Sequence, residues 1–207
     1  PLQRGGRSVH VTTVRQSVRM CTRHSEAGFN LVELLVVISI ASILMGLGVS
    51  SYRYVTNSSR VSSEINSLLG DMQVARSEAI KRGQTVTICP SGNGTSCAGG
   101  GAAWNGGWIV FTDWNGDGAV TAGAPDNDLI LRIQPAWTST DAITTNNAGT
   151  AFVSFNRNGL ALNMPATDFV LTLNTSPVSY TWQRCLDITT TGGMQTEHKG
   201  DVSGNCP

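Results

Sequence analysis

Phe29 to Val49 is a run of 21 residues with one charged side chain, Glu33. At about 1.5 Å per residue, a helix of that length covers roughly 30 Å, the thickness of a bilayer's hydrocarbon core. The run therefore predicts a membrane span over 29–49, and the carboxylate is its anomaly. An acid inside such a helix costs on the order of 2.5 kcal/mol or more, and a plain anchor has no use for one. Glu33 needs a positively charged partner. If the chain were cut between Gly28 and Phe29, a new α-amino group would lie four residues before Glu33. The Phe29 amine of a neighbouring subunit could then neutralise this Glu33 in low dielectric.

Two simpler readings fit less well. A secretory signal has an apolar region of about 7–15 residues ending at a small-residue cleavage site, whereas this run is longer and carries a carboxylate near its start. A lipoprotein signal needs a cysteine after the run, and none occurs before Cys89.

Gly28, Phe29, Leu31, Glu33 and the Leu34-Leu35-Val36-Val37 run, in that order, resemble the class III signal of type IV pilins and type II secretion pseudopilins. The resemblance implies a prepilin peptidase that cuts after Gly28 and methylates Phe29, with Glu33 as the assembly residue. It also implies other pilin or pseudopilin subunits and an inner-membrane assembly platform as partners.

Charge supports an orientation. Residues 1–28 hold Arg4, Arg7, Arg15, Arg19 and Arg23 against Glu26, leaving nine basic and thirteen acidic side chains beyond, a net of −4. Basic residues before a span stay cytoplasmic, so the rest of the chain is expected in the periplasm. Met20 lies nine residues before Phe29, and the short basic segment after it makes Met20 the expected natural start of a leader ending at 28.

Beyond the span, Ile65, Leu68, Leu69, Met72, Ala75 and Ala79 recur at three- and four-residue steps, the mark of an amphipathic helix over 50–83. Lys81, Arg82 and Gly83 form its stop signal. Residues 84–207 read as a β-rich head. Strands are expected at Gln84–Cys89, Trp108–Asp113, Leu129–Gln134, Ala151–Asn156, Phe169–Asn174 and Tyr180–Thr189. Ser91–Gly107 reads as a Gly/Ser-rich loop, Thr138–Gly149 as a polar Thr/Asn stretch expected to be exposed or mobile, and the five tryptophans as core and loop anchors. The predicted class is α+β, a long N-terminal helix packed on an antiparallel sheet.

With Cys21 in the leader, Cys89, Cys97, Cys185 and Cys206 remain, an even number on the oxidising side of the membrane. Three pairings are open; the local one joins Cys89 to Cys97 and Cys185 to Cys206. A zinc site is the rival reading, but no CxxC occurs and His198 is the one histidine left. Asp113, Asn115 and Asp117, with Gly118, match the first half of a calcium loop; Ala124 stands where the closing Glu belongs, and Asp126 or Asp128 could substitute for it. An ordinary Asp/Asn/Gly turn fits equally. No cofactor is otherwise expected.

The segments Ala75–Arg82, Val86–Pro90, Trp104–Asp113, Leu129–Arg132 and Phe155–Gly159 resemble the FimT/GspH family of minor pilins and type II secretion pseudopilins. The resemblance implies a subunit near a filament tip that helps to initiate assembly. One branch of that family binds DNA, in DNA uptake, through a C-terminal Gly-Arg loop. The matching place, Thr191-Gly192-Gly193-Met194-Gln195, has no arginine, and the charge of −4 also disfavours DNA as a partner. Nor is an enzyme expected: no nucleophile elbow, Walker loop or HExxH appears.

Overall fold

The computed structural model describes residues 28, 30–99, 103–146, 151–164, 168–176, 178–179, 181–199 and 206, with backbone alone for 47–51. Met20, Cys21 and Phe29 lie outside the described residues. The chain divides into two compact units, Pro1–Gly46 and Leu47–Pro207.

One helix, α1, runs Leu31–Arg82. In the first unit its side chains from 31 to 46 are exposed on every side, Ala41 alone being half-buried. Ser39 and Ser42 turn their hydroxyls back onto the Leu35 and Ile38 carbonyls, each at 2.7 Å, so these two polar groups need no outside acceptor. Among the described residues, no helix is long and apolar enough to cross a membrane. The expected span over 29–49 includes Phe29 and the side chains of 47–49, which lie outside that description.

In the second unit the α1 stripe does what its spacing predicts. Ile65, Leu68, Met72, Ala75 and Ala79 are all buried, Val61 extends the stripe one step earlier, and Leu69 is only half-buried at its edge; the larger buried side chains are each worth about 2 kcal/mol of transfer free energy. The helix stops at Gly83, whose φ of +69° suits glycine and whose N–H reaches the Ala79 carbonyl at 3.0 Å.

The stripe packs on two antiparallel sheets. The first contains β1 (Val86–Pro90), β2 (Gly107–Thr112), β3 (Ile130–Pro135), β5 (Val153–Phe155) and β6 (Ala161–Leu162), in the order β3-β2-β1-β5-β6. The second contains β4 (Ala142–Thr145), β7 (Phe169–Asn174), β8 (Arg184–Ile188) and β9 (Met194–His198), in the order β4-β7-β8-β9. Strand alternation divides β1 between two cores. Val86 and Ile88 face the core under α1, whereas Cys89 joins Ile109 and Phe111 on the far face, covered by Cys97, Val120, Ile130 and Phe152.

Several expectations are corrected. Thr138–Gly149, read as an exposed or mobile polar stretch, holds β4, with Ile143 and Asp141 buried; one inward side chain and a pairing partner suffice for a polar Thr-rich strand. β6 and β9 were not expected, the one too short and the other too polar to show alternation. The expected Tyr180–Thr189 strand narrows to Arg184–Ile188, since residues 181–182 turn. Of the tryptophans, Trp104 and Trp108 are core, but Trp114 is 64% exposed and anchors nothing.

Candidate functional site

The N-terminal motif begins with Gly28, which is exposed; a Cβ placed there meets nothing within 4 Å. The described fold makes no steric demand for glycine at 28. The first main-chain bond of α1 runs from the Leu34 N–H to the Asn30 carbonyl at 3.1 Å. Glu33 falls in the first turn, where the helix dipole favours an anion. It is exposed, and among the described residues it forms no ion pair. Around it Leu31, Val32, Leu34, Leu35, Val36 and Val37 are each at least half exposed. A helix apolar on all sides is stable only when something apolar surrounds it.

The Asp113 loop is held by its own main chain. Asp113 is fully buried. Its Oδ1 accepts the N–H groups of Gly116 (2.7 Å) and Asp117 (3.1 Å), and its Oδ2 accepts the Gly118 N–H (3.0 Å) and the Thr87 hydroxyl (2.7 Å). Thr87 gives its one proton to Asp113, so Ser154, 2.7 Å away, donates to Thr87. Asn115 donates to Asp117 and Asp126, while Asp128 accepts the Trp114 and Thr121 N–H groups. Among the described residues, no group of three His, Cys, Asp or Glu is placed to hold a metal ion.

A polar row beside the α1 stripe is engaged with the sheets and loops. Arg60, Glu64 and Asp71 each precede a stripe residue by one position, which puts them on one flank of the stripe. Arg60 binds Asp141 through two bonds, at 2.8 and 3.0 Å. Glu64 accepts the Ser139 hydroxyl at 2.7 Å, and burial, more than nearby Asp141, pushes its carboxyl above its ordinary value. Asp71 is 2% exposed; it accepts the Trp108 indole N–H at 2.8 Å and pairs with Arg132 at 2.7 Å. Farther along, Glu78 holds Arg82 and Lys81, which together draw its carboxyl below the usual range.

Disulfides join Cys89 to Cys97 and Cys185 to Cys206, the local pairing. The β8–β9 turn that carries Thr191–Gly193 lies against the β5–β6 turn, where the Ala161 N–H bonds the Thr190 carbonyl at 3.1 Å.

Residues 64–192, more than half of the chain, match the family described as type II transport protein GspH. The chain belongs to the GspH family. Residues 23–49 match the prokaryotic N-terminal methylation motif, which takes in Gly28, Phe29 and Glu33. The fold of this GspH-family chain is similar to the crystal structure of the type IV minor pilin FimU of Pseudomonas aeruginosa. The TM-score is 0.50 at 20% identity, over 67% of this chain and 88% of that one. The minor pseudopilin EpsH of Vibrio cholerae aligns with a TM-score of 0.42 at 12% identity, over 68% of this chain and 98% of that one. No curated protein sequence matches the chain. The long helix on antiparallel sheets is the pilin fold, shared with FimU.

Proposed function

We propose that this chain is a subunit near the tip of a type IV pilus or a type II secretion pseudopilus and that it helps to initiate assembly of the filament. The observation that carries this reading is Glu33, a carboxylate with no ion-pair partner among the described residues, in the first turn of a helix whose stretch from 31 to 46 is otherwise uncharged, five residues after Gly28. Prepilin peptidase removes the leader after Gly28 and methylates Phe29. The Phe29 amine of one subunit then neutralises Glu33 of the next, and neither charge is left alone in an apolar surrounding. Before assembly the helix holds the subunit in the inner membrane beside the assembly platform, with the N-terminus cytoplasmic and the head periplasmic. The role is structural rather than catalytic and calls for no cofactor.

The experiment is a strain lacking only this chain, with sheared surface pili and secreted enzymes scored in one culture. Lost pili with normal secretion assigns it to the pilus, and lost secretion with normal pili to the pseudopilus. If neither changes, the proposal fails. In complementation, Glu33→Ala should still insert but not enter filaments; normal incorporation of that variant overturns the assigned role of Glu33.

A further inference from the structure

One flank of the α1 stripe is closed by Arg60, Glu64 and Asp71; the other is open beside Arg76. There α1 faces the β5–β6 and β8–β9 turns, and Gln73, Arg76, Ser77, Ile80, Gly192 and Met194 line a cavity of about 340 Å³. The Arg76 Nε is buried with no hydrogen-bond partner. Among the described residues its Nη2 reaches only the Thr191 carbonyl, at 3.5 Å, the outer limit for a hydrogen bond.

Two glycines press on this guanidinium. A Cβ at Gly159 would stand 3.1 Å from Nε, and one at Gly192 would stand 3.1 Å from Nε and 3.2 Å from Cζ. Both residues have positive φ, +75° and +78°, so both turns need glycine for their backbone as well as for the close approach. The two turns thereby close over the inner edge of the guanidinium at Nε. Arg60 and Arg132 have Asp141 and Asp71, and Lys81 and Arg82 share Glu78, but among the described residues Arg76 has no carboxylate within 4 Å. A half-buried cation without a counter-ion is unfavourable. A guanidinium closed over at Nε with its outer nitrogens open suits a planar two-oxygen acceptor.

We propose that this cavity receives an acidic side chain of a neighbouring filament subunit, its carboxylate held by Arg76 and its methylenes lying on Ile80 and Met194. The inference rests on the filament reading above. The Gln73 amide offers a further donor, whereas the Ser77 hydroxyl proton is already given to the Val74 carbonyl at 2.9 Å. The volume lies at the small end of ligand sites, enough for one side chain and its backbone. Carboxylates are in surplus on a subunit of this composition, thirteen acidic side chains against nine basic after residue 28. A nucleic-acid backbone is the weaker fit, because the 191–195 turn adds no second cation.

The test places a photo-crosslinking benzoylphenylalanine at Thr190, an exposed residue of the neighbouring β8–β9 turn that does not line the cavity, in the full chain in cells that build the filament. Illumination should give an adduct to a second pilin-type subunit, with the joined peptide containing Asp or Glu. Arg76→Glu should reduce the adduct by about tenfold or more, Arg76→Lys should keep part of it, and exchanging the partner's acid for Arg should restore it with Arg76→Glu. That rescue shows that the variant is folded. An absent adduct, an adduct unchanged by Arg76→Glu, one joined to a peptide without an acid, or one joined to DNA each overturns the proposal. If Arg76→Glu leaves both adduct and filament entry unchanged, the docking inference alone falls. If the wild-type chain is missing from sheared filaments, the filament reading falls with it.

Discussion

The carboxylate of Asp71 accepts the indole N–H of Trp108 at 2.8 Å, with both residues shut away from water. This bond ties the middle of α1 to β2, and Arg132 on β3 closes over it from the more exposed side. Asp71→Ala leaves a buried N–H without an acceptor and should lower stability by about 2 kcal/mol. Arg132→Ala breaks a pair that solvent already screens and should cost under about 1 kcal/mol. Urea unfolding of the full chain in detergent separates the two, and equal losses would contradict this division.

The two disulfides close loops of different length, with separations of 8 and 21 residues. Loop entropy alone predicts losses of about 2.5 kcal/mol for the Cys89→Ser, Cys97→Ser pair and about 3.5 kcal/mol for the Cys185→Ser, Cys206→Ser pair. Unfolding midpoints of the two double variants against the oxidised chain check both the sizes and their order.

Asp113 already accepts four hydrogen bonds, which occupy the lone pairs a cation would need. Chelator treatment is therefore expected to leave the melting temperature within about 1 °C. Asp113→Ala should cost about 3 kcal/mol by releasing three N–H groups and the Thr87 hydroxyl. A fall of several degrees on chelation would assign a calcium ion to Asp113, Asn115 and Asp117 after all.

Burial raises the Glu64 carboxyl above its ordinary value of 4.5, with the Ser139 hydroxyl and Arg60 pulling it down and Asp141 pushing it up. The folded state thus binds this proton more tightly than the unfolded state. Its contribution to stability is full below about pH 4.5 and is lost as pH rises through the folded value. Glu64→Gln keeps an acceptor for Ser139 and avoids that loss, so it should raise the melting temperature at pH 7 by on the order of 1 °C and change little at pH 4. An equal effect at both pH values would show that the carboxyl does not titrate as described.

What could be read from the sequence was what lies close together in it. The stripe from Ile65 to Ala79 and its stop at Gly83 need only a period and a cap, and the run from Gly28 to Val37 is one local pattern. β4 was hidden because Ala142–Thr145 looks like linker until β7 is beside it. β9, Met194–His198, carries its polar side chains on a sheet edge, where alternation is weak. The Arg60–Asp141 pair spans 81 residues, and nothing local marks either member as a partner. Nothing local marks Arg76 either, because the turns that close over it, at Gly159 and Gly192, are brought together only in the folded chain.

The order of strands has one more effect. β4 belongs to the second sheet, yet it lies in sequence between β3 and β5 of the first, and β7 follows β6 back to the second sheet. No single cut of the chain therefore yields a piece with one whole sheet and a remainder with the other. The head should melt in one cooperative step, resist division into separately expressed halves, and lose both sheets together when a protease nicks the link between β3 and β4.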